Sequence, residues 1–338
     1  MDKFLRKKGI NFSFKTYFID AMGAMAYGLF ASLLVGTILN TIGQQFHIAF
    51  LTDVLWPIAQ EATGPAIAVS IAYALKAPDL VLFSSTLVGI AGYKLGGPVG
   101  VFIATIFSVE FGKIVSKETK IDIILTPTVT ILIGIAVATF IGPPIQYIMQ
   151  SIGEVIMVAT NAQPILMGIV VSVIVGIVLT LPISSAALCM MLSLSGLAGG
   201  AATVGCCCQM VGFAVISFKD NGVEGLVAQG LGTSMLQMPN IIKNYKILIP
   251  PTLASAILGP ISTTIMKMEN TPLGSGMGTC GLVGQIGTIN AMIDRVPFTK
   301  ILFNMTILQF LLPAILSYII YVIMKNKNYI KDGDMKLQ

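Results

Sequence analysis

The strongest constraint on this chain is that its hydrophobic pattern occurs twice. Leu181-Pro182-Ile183 repeats Trp56-Pro57-Ile58 at an offset of 125 residues. At the same offset and without a gap, five small residues of the first half recur in the second half: Gly43, Ala62, Ser70, Gly97 and Gly100 align with Gly168, Ala187, Ser195, Gly222 and Gly225. Duplicated apolar units are typical of membrane transporters, which hold the substrate where the two copies meet. The pattern therefore predicts two internal membrane repeats.

The composition places the chain among the membrane proteins. Apolar residues make up 55% of its 338 residues and charged residues only 10%, whereas about a quarter of the residues in a soluble domain are charged. The 34 glycines and 16 prolines indicate interrupted helices, because neighbouring helices can satisfy a broken backbone in the bilayer. We predict an all-α polytopic membrane protein of about ten transmembrane helices, with broken helices or re-entrant hairpins.

Basic residues flank the apolar region at both ends of the chain. The positive-inside rule then predicts that both termini are cytoplasmic and that the number of crossings is even. We expect a cytoplasmic tail at 1–17, a first repeat at 18–150, a connector at 151–163, a second repeat at 164–292, a final transmembrane helix at 293–324 and a cytoplasmic tail at 325–338. The relative orientation of the repeats stays open, because the equivalent loops at 116–122 and 243–246 are both basic.

Helix breaks are expected at several places within the repeats. Glycine and proline predict one between residues 95 and 99, one at Gly199-Gly200 and one at 60–65. The last of these carries Gln60, Glu61 and Thr63. Polar groups inside an apolar run need a partner or an aqueous cavity. This segment therefore either forms half of a polar substrate site or caps a short interfacial helix.

A second group of polar residues lies near the end of the second repeat. Gln229, Thr233, Gln237 and Asn240 recur at helical spacing, which predicts that they line one stripe of a helix. Neutral donors and acceptors in a row suit a polyhydroxyl ligand. The alternative is that they join neighbouring helices by hydrogen bonds.

A third group opens the glycine-rich stretch at 269–287 and contains Glu269, Asn270, Thr271 and Ser275. So many glycines do not make a stable continuous helix, but they allow a re-entrant hairpin whose backbone faces a cavity. Glu269 is the candidate anionic acceptor for a solute. Close helix packing alone would explain the glycines at 281–284, but it would not explain the polar start of the stretch.

No motif predicts catalysis, a metal or another cofactor. Cys206, Cys207 and Cys208 are consecutive, so their side chains point in different directions on a helix and cannot share an ion. The glycine-rich stretches follow no strand, so neither a Walker loop nor a dinucleotide fingerprint is supported. The net charge of +5 lies largely in the tails and loops. It indicates topology and contact with anionic lipid, and it gives no reason to expect nucleic-acid binding.

Residues 232–244, 249–260, 267–279 and 281–285 resemble the IIC membrane proteins of the bacterial phosphotransferase system. The nearest group in that class includes the PfoR-type toxin regulators of Gram-positive bacteria, and the resemblance extends over nearly the whole chain. It implies a sugar-type permease, usually a homodimer, that works by alternating access. In that system a IIB domain phosphorylates the emerging sugar. No soluble segment here is long enough to be a IIA or IIB domain, so phosphorylation would need separate partners or would not occur. The resemblance also implies that the protein lies in a bacterial plasma membrane.

We therefore expect a permease that moves a sugar or a related small polar solute and performs no covalent chemistry itself. Glu269 corresponds loosely to the glutamate of the family's Glu-Pro-type substrate motif, and we expect it to bind the solute together with the other polar candidates of both repeats. Two alternatives remain open. One is a secondary transporter of a small organic anion, coupled to protons through Glu61 or Glu269. The other is a membrane-embedded regulator that has lost transport.

Overall fold

The computed structural model describes residues 2–10, 12–160 and 163–337, which are helical apart from turns and one isolated antiparallel bridge between Gly196 and Asn270. This confirms the predicted all-α class. Among these residues six helices are long and apolar enough to cross a membrane, and a shorter apolar helix spans Pro164–Thr180. The chain is a polytopic membrane protein, and the number of ten crossings stays a prediction.

The chain divides into two compact units, Met1–Ile148 and Met149–Gln338. The helices that begin in the first unit are α1 (Asp2–Lys7), α2 (Thr16–Phe46, with π-helical turns at Thr16–Ala21 and Phe30–Leu34), α3 (Trp56–Ala74, preceded by a π-helical turn at Phe50–Leu55), α4 (Asp79–Val115) and α5 (Asp122–Thr160). Helix α5 continues through most of the predicted connector at 151–163, of which residues 161 and 162 lie outside the described residues.

The second unit contains nine labelled helices within the described residues. They are α6 (Pro164–Thr180), α7 (Ser185–Met191), α8 (Gly196–Ile216), α9 (Phe218–Val227), α10 (Met238–Lys243), α11 (Tyr245–Ile265), α12 (Pro272–Ser275), α13 (Val283–Met292) and α14 (Phe298–Asn326). Short turns at Ala228–Gly232, Ser234–Gln237 and Cys280–Leu282 complete the helical content, while Tyr245–Leu248, Ile261–Ile265 and Thr306–Leu311 are the non-α parts of α11 and α14.

Helix α4 folds back on itself, as the glycines near its middle predict. Gly96 and Gly97 leave the helical conformation, and Gly97 has φ 58° and ψ −154°. The predicted break between residues 95 and 99 is thus confirmed. Gly222, which lies 125 residues further on, has φ 61° and ψ −156° inside α9. The left-handed region is accessible to glycine at little cost. The two aligned glycines therefore make the same backbone turn, while the repeat as a whole stays a prediction.

The predicted break at residues 60–65 is wrong. Helix α3 runs without interruption through Pro65, and α2 and α4 pack along it. A proline inside a helix removes one N–H donor, but packed membrane helices tolerate this loss because neighbouring groups satisfy the freed carbonyl. Packing against two helices overrides the local preference of the sequence.

Helix α8 forms the centre of the second unit. In its most apolar stretch 94% of the residues are buried, and α6, α11 and α14 pack around it. The predicted break at Gly199-Gly200 is wrong, because α8 passes through both residues and the actual break precedes it at 192–195. The glycines serve close packing instead. A Cβ on Gly200 would lie 1.9 Å from the carbonyl oxygen of Met268.

Helix α5 presents an apolar surface to its surroundings. Its most apolar stretch has a mean hydropathy of 2.2, yet only 22% of that stretch is buried, and Phe140 is 83% exposed. In water such a surface would cost free energy in proportion to its apolar area. Contact with lipid removes this cost, in agreement with a membrane protein.

The close approach at Gly200 yields a stability prediction. The Gly200→Ala variant should lower the midpoint of thermal unfolding in detergent by roughly 5 °C, because the added methyl group overlaps the backbone at Met268. Gly230→Ala is the matched control, since its Cβ would meet only the Ala214 methyl group at 3.5 Å. Equal midpoints for the two variants would contradict this account of the packing.

Candidate functional site

The glycine-rich stretch crosses the second unit as an irregular segment between α11 and α13. Residues 266–271 are not helical, α12 covers only Pro272–Ser275, and both Gly278 and Gly281 have positive φ. The sequence-based expectation that this stretch does not form a continuous helix is confirmed. Asn270 pairs with Gly196 through two backbone hydrogen bonds of 3.1 and 3.2 Å. The segment therefore begins with a fixed attachment to the start of α8.

The side chain of Asn270 is the main polar anchor of this segment. It is buried, and its Nδ2 lies 2.5 Å from Thr203 Oγ1, 2.9 Å from the Gly284 carbonyl and 3.2 Å from Thr288 Oγ1. Its Oδ1 accepts from the Thr271 backbone N–H at 2.7 Å. Asn270 thus connects α8, α13 and the irregular segment, and its hydrogen-bonding groups are occupied within the protein.

Thr271 and Ser275 also bond within the segment and to its neighbours. Thr271 Oγ1 accepts from the Gly274 N–H at 3.3 Å, so it caps α12. The Ser275 hydroxyl donates to the carbonyls of Leu194 and Thr271, both at 2.7 Å. These two candidates hold the path of the backbone.

The side chain of Glu269 is partly exposed to solvent. Its Oε2 lies 2.6 Å from Arg295 Nη2 and its Oε1 lies 3.4 Å from Arg295 Nη1, a two-point contact. The Glu269 side chain is 25% exposed and that of Arg295 is 64% exposed. A carboxylate and a guanidinium therefore lie side by side with free hydrogen-bonding capacity. Sequence reasoning missed Arg295, which follows the apolar residues of α13.

Gln229, Thr233, Gln237 and Asn240 do not lie on one helix as predicted. Gln229 lies in the π-helical turn Ala228–Gly232, Thr233 is extended with φ −159° and ψ 143°, and Gln237 ends the 3-10 turn Ser234–Gln237. Only Asn240 belongs to α10. Thr233 Oγ1 caps the 3-10 turn by accepting from the Met235 N–H at 3.1 Å. Because glycine and threonine interrupt the helix here, the expected stripe does not form.

The three amide side chains nevertheless meet in a continuous, buried ladder. Gln237 Nε2 donates to Gln229 Oε1 at 2.9 Å, and Asn240 Nδ2 donates to Gln237 Oε1 at 2.9 Å. Gln229 Nε2 donates to Ser217 Oγ at 2.8 Å and to the Gly225 carbonyl at 3.0 Å. This set of three side chains is called the amide ladder below.

The remaining donors of the amide ladder bind the C-terminal end of the chain. Residues 328–337 follow α14 and lie across α9 and α10; we call them the strap. Gln237 Nε2 donates to the Met335 carbonyl and Asn240 Nδ2 to the Lys336 carbonyl, each at 2.9 Å. Both hydrogens of each amide are thus in use. A solute would reach these groups only by replacing existing hydrogen bonds.

The candidates of the first unit are placed differently. Gln60 and Glu61 are exposed on α3, whereas Thr63 is buried and its hydroxyl donates to the Ala59 carbonyl at 2.8 Å. The described side chains of this unit also contain buried charge that sequence reasoning missed. Lys113, with only 2% of its side chain exposed, lies 3.4 Å from Glu110, which also accepts from the Tyr17 hydroxyl at 2.9 Å.

Further buried amides in the second unit were missed as well. Gln285 Nε2 donates to Gln309 Oε1 at 2.9 Å, and Gln309 Nε2 donates to Thr288 Oγ1 at 2.9 Å, which extends the network around Asn270. Gln209 joins α8 to Thr180 and Thr252. Each is a lone amide in an apolar run, and the cost of burying such a group without a partner was the signal available for finding it.

The five cysteines, Cys189, Cys206, Cys207, Cys208 and Cys280, are free and buried. Within the described part of the chain, no group of three or more His, Cys, Asp or Glu side chains is placed to hold a metal ion.

The role of Asn270 can be tested by removing its donor while keeping its shape. Asn270→Asp should lower the unfolding midpoint by several degrees, because a carboxylate cannot donate to Thr203 or Gly284 and would be buried without a cation. Asn290→Asp, the same change at an exposed position of α13, is the control. Thermal unfolding of both proteins in detergent measures the difference, and an unchanged midpoint for Asn270→Asp would rule out the anchoring role.

The ion pairs of the strap yield a prediction about the pKa of Asp332. The pKa of Asp332 is lowered from its ordinary value because Lys325 and Lys219 donate hydrogen bonds to its carboxylate. Its contribution to holding the strap is therefore present above the ordinary pKa and is lost as the pH falls through the lowered one. Lys325→Gln should raise the pKa of Asp332, as measured by carbon-13 NMR titration of the aspartate carboxyls. Lys327→Gln at an exposed neighbouring position should not.

Comparison with known proteins identifies a family for nearly the whole sequence. Residues 19–337 match the family described as Phosphotransferase system, EIIC. No curated protein and no solved structure matches the chain.

Proposed function

Since the chain belongs to the EIIC family of the phosphotransferase system, we propose that it is a permease that moves a sugar or a related small polar solute by alternating access. EIIC proteins are membrane permease components for sugar-like substrates and work with IIA and IIB partners. The observation that carries the proposal is the extent of the family match, residues 19–337, on an all-helical chain with six candidate spans.

The solute contact that we propose is the pair of Glu269 and Arg295. Both side chains are at least partly exposed. Glu269 lies in the irregular segment after α11, and Arg295 lies between α13 and α14. A carboxylate accepts from sugar hydroxyls and a guanidinium donates to them, and hydrogen bonds to charged groups are the stronger kind. Asn270, Thr271 and Ser275 hold the segment, so that Glu269 keeps a defined position.

The candidate residues outside the glycine-rich stretch have different proposed roles. Gln60 and Glu61, exposed on α3, remain proposed solute contacts of the first unit, while Thr63 bonds within its own helix. Gln237 and Asn240 of the amide ladder become solute contacts only in a state in which the strap has moved away. Gln229 and Thr233 remain proposed solute contacts of the second unit. Rearrangement of the helices around the solute would then open one side of the membrane at a time.

A binding experiment with Glu269→Gln tests this proposal. A screen of sugars, sugar acids and organic acids by thermal shift first identifies a ligand of the wild-type protein. Glu269→Gln should then weaken its binding roughly tenfold to a hundredfold, because a charged acceptor is replaced by a neutral one. The fold should survive the change, since Arg295 is largely exposed and remains hydrated.

Asp294→Asn provides the matched control, because Asp294 is an exposed acidic residue beside Arg295. Binding that is equally strong in both variants would exclude Glu269 as a solute contact. Uptake into proteoliposomes that depends on a pH gradient and on no phosphorylating partner would instead favour a proton-coupled transporter.

A further inference from the structure

The strap is held mainly through its backbone. Asp220 accepts from the N–H groups of Gly333 at 3.1 Å and Met335 at 3.4 Å. Asn221 Oδ1 accepts from the Leu337 N–H at 2.8 Å. Here three alternate N–H groups of the strap are bound by two adjacent side chains of α9.

The carbonyl groups of the strap are bound from the same surface. The Met335 carbonyl accepts from Asn221 Nδ2 at 2.8 Å and from Gln237 Nε2 at 2.9 Å, which uses both of its lone pairs. Asn240 binds the next carbonyl, that of Lys336. The strap is bound as a turn: the Asp334 N–H donates to the Lys331 carbonyl and the Lys336 N–H to the Gly333 carbonyl, each at 3.2 Å, and Gly333 has φ 86°. Side chains that bind both N–H and C=O groups thus recognise the backbone of a turn-forming segment.

Two apolar side chains of the strap add selectivity to this backbone recognition. Ile330 and Met335 are each 1% exposed and pack in a core cluster with Phe213, Ile216 and Ile247.

Two carboxylates of the strap add further selectivity. Asp332 forms ion pairs with Lys219 and Lys325, and its side chain is 55% exposed. Asp334 Oδ2 accepts from Asn244 Nδ2 at 2.8 Å. A matching ligand therefore has two apolar residues five positions apart with two acidic residues between them.

We propose that Asp220, Asn221, Gln237 and Asn240 form a binding site for a turn-forming polypeptide segment, which the chain's own strap occupies reversibly. Most strap residues are exposed, so each contact that opens is replaced by water at small cost, except at the two apolar anchors. When the site empties, the outer donors of the amide ladder become free. The inference concerns the strap alone and goes beyond the proposed transport function.

The test separates the strap from the folded protein. A site-specific protease sequence inserted between the exposed residues Lys327 and Asn328 allows the full chain to fold first and the strap to be cut afterwards. After washing in detergent or nanodiscs, a fluorescent peptide of residues 328–338 should bind the cut protein saturably, as measured by fluorescence anisotropy. The same peptide with Met335→Asp should bind about tenfold more weakly or worse, because a charge would enter the apolar pocket.

Protein variants identify the site itself. Asn221→Ala in the cut protein should weaken peptide binding, whereas Asn326→Ala, an exposed asparagine at the end of α14, should not. A cut strap that stays bound through washing and does not exchange with excess peptide would overturn the proposal, as would a washed protein that does not bind the peptide. Neither result depends on a transported solute, so the transport proposal is tested separately.

Hydrogen exchange of the uncut protein provides a second measurement. Reversible occupancy predicts that the amides of Gly333, Met335 and Leu337 are protected and exchange together. Raising the salt concentration should speed their exchange, because the ion pairs of Asp332 are exposed and screened by salt. Exchange of these amides at the rates of an unstructured peptide would contradict an occupied site.

Discussion

The fold of the second unit depends on one constraint, which is that a backbone group shielded from water must find a partner inside the protein. Regular helices meet this requirement by themselves, but this unit also contains irregular stretches, among them residues 228–237 and 266–282. Asn270 serves the second stretch, and threonine hydroxyls serve the first, because Thr233 Oγ1 accepts from the Met235 N–H and Thr279 Oγ1 donates to the Gly230 carbonyl. The amide ladder serves the Gly225 carbonyl and the strap. Side-chain amides suit the task because each provides two donors and an acceptor without a charge.

The two units use a shared backbone device in different chemical settings. Gly97 and Gly222 make nearly the same turn, each in a segment of two helical pieces. Around Gly97 the neighbouring side chains are mostly apolar, whereas Gly222 follows directly after Asp220 and Asn221, which bind the strap. The turn is set by glycine alone, so the side chains beside it are free to differ. The same backbone turn therefore lies among apolar side chains at Gly97 and beside the strap-binding side chains at Gly222.

Composition and glycine placement were enough to predict the helical membrane class and the bend in α4, because both follow from local chemistry. The helix breaks predicted at Pro65 and at Gly199-Gly200 do not occur. The effect of these residues depends on what packs against the helix, and a sequence without tertiary contacts does not contain that information.

The candidate site shows the same division between local and tertiary information. Spacing placed Gln229, Thr233, Gln237 and Asn240 on one helix, which is wrong, although the three amides do bond to one another. Spacing also could not predict that a segment about a hundred residues further on would bind Gln237 and Asn240. Arg295 was also not recognised as a candidate, because a basic residue in a loop is ordinarily explained by its effect on membrane topology. The polar residues of an apolar sequence are therefore recognisable as a set, while their partners emerge only from the fold.

The ion pair in α4 has a consequence for how the first unit enters the bilayer. Glu110 and Lys113 lie one turn apart on the same helix, and their side chains are 3.4 Å apart. A lone charge would oppose transfer of this helix into hydrocarbon, whereas the opposite charges of this pair compensate each other within one helix. Insertion of α4 therefore requires no charge on another helix, and the Tyr17 hydroxyl of α2 adds a hydrogen bond to Glu110 in the folded unit. Because Glu110 and Lys113 neutralise each other within α4, this helix can enter the bilayer independently of the helices that later pack against it.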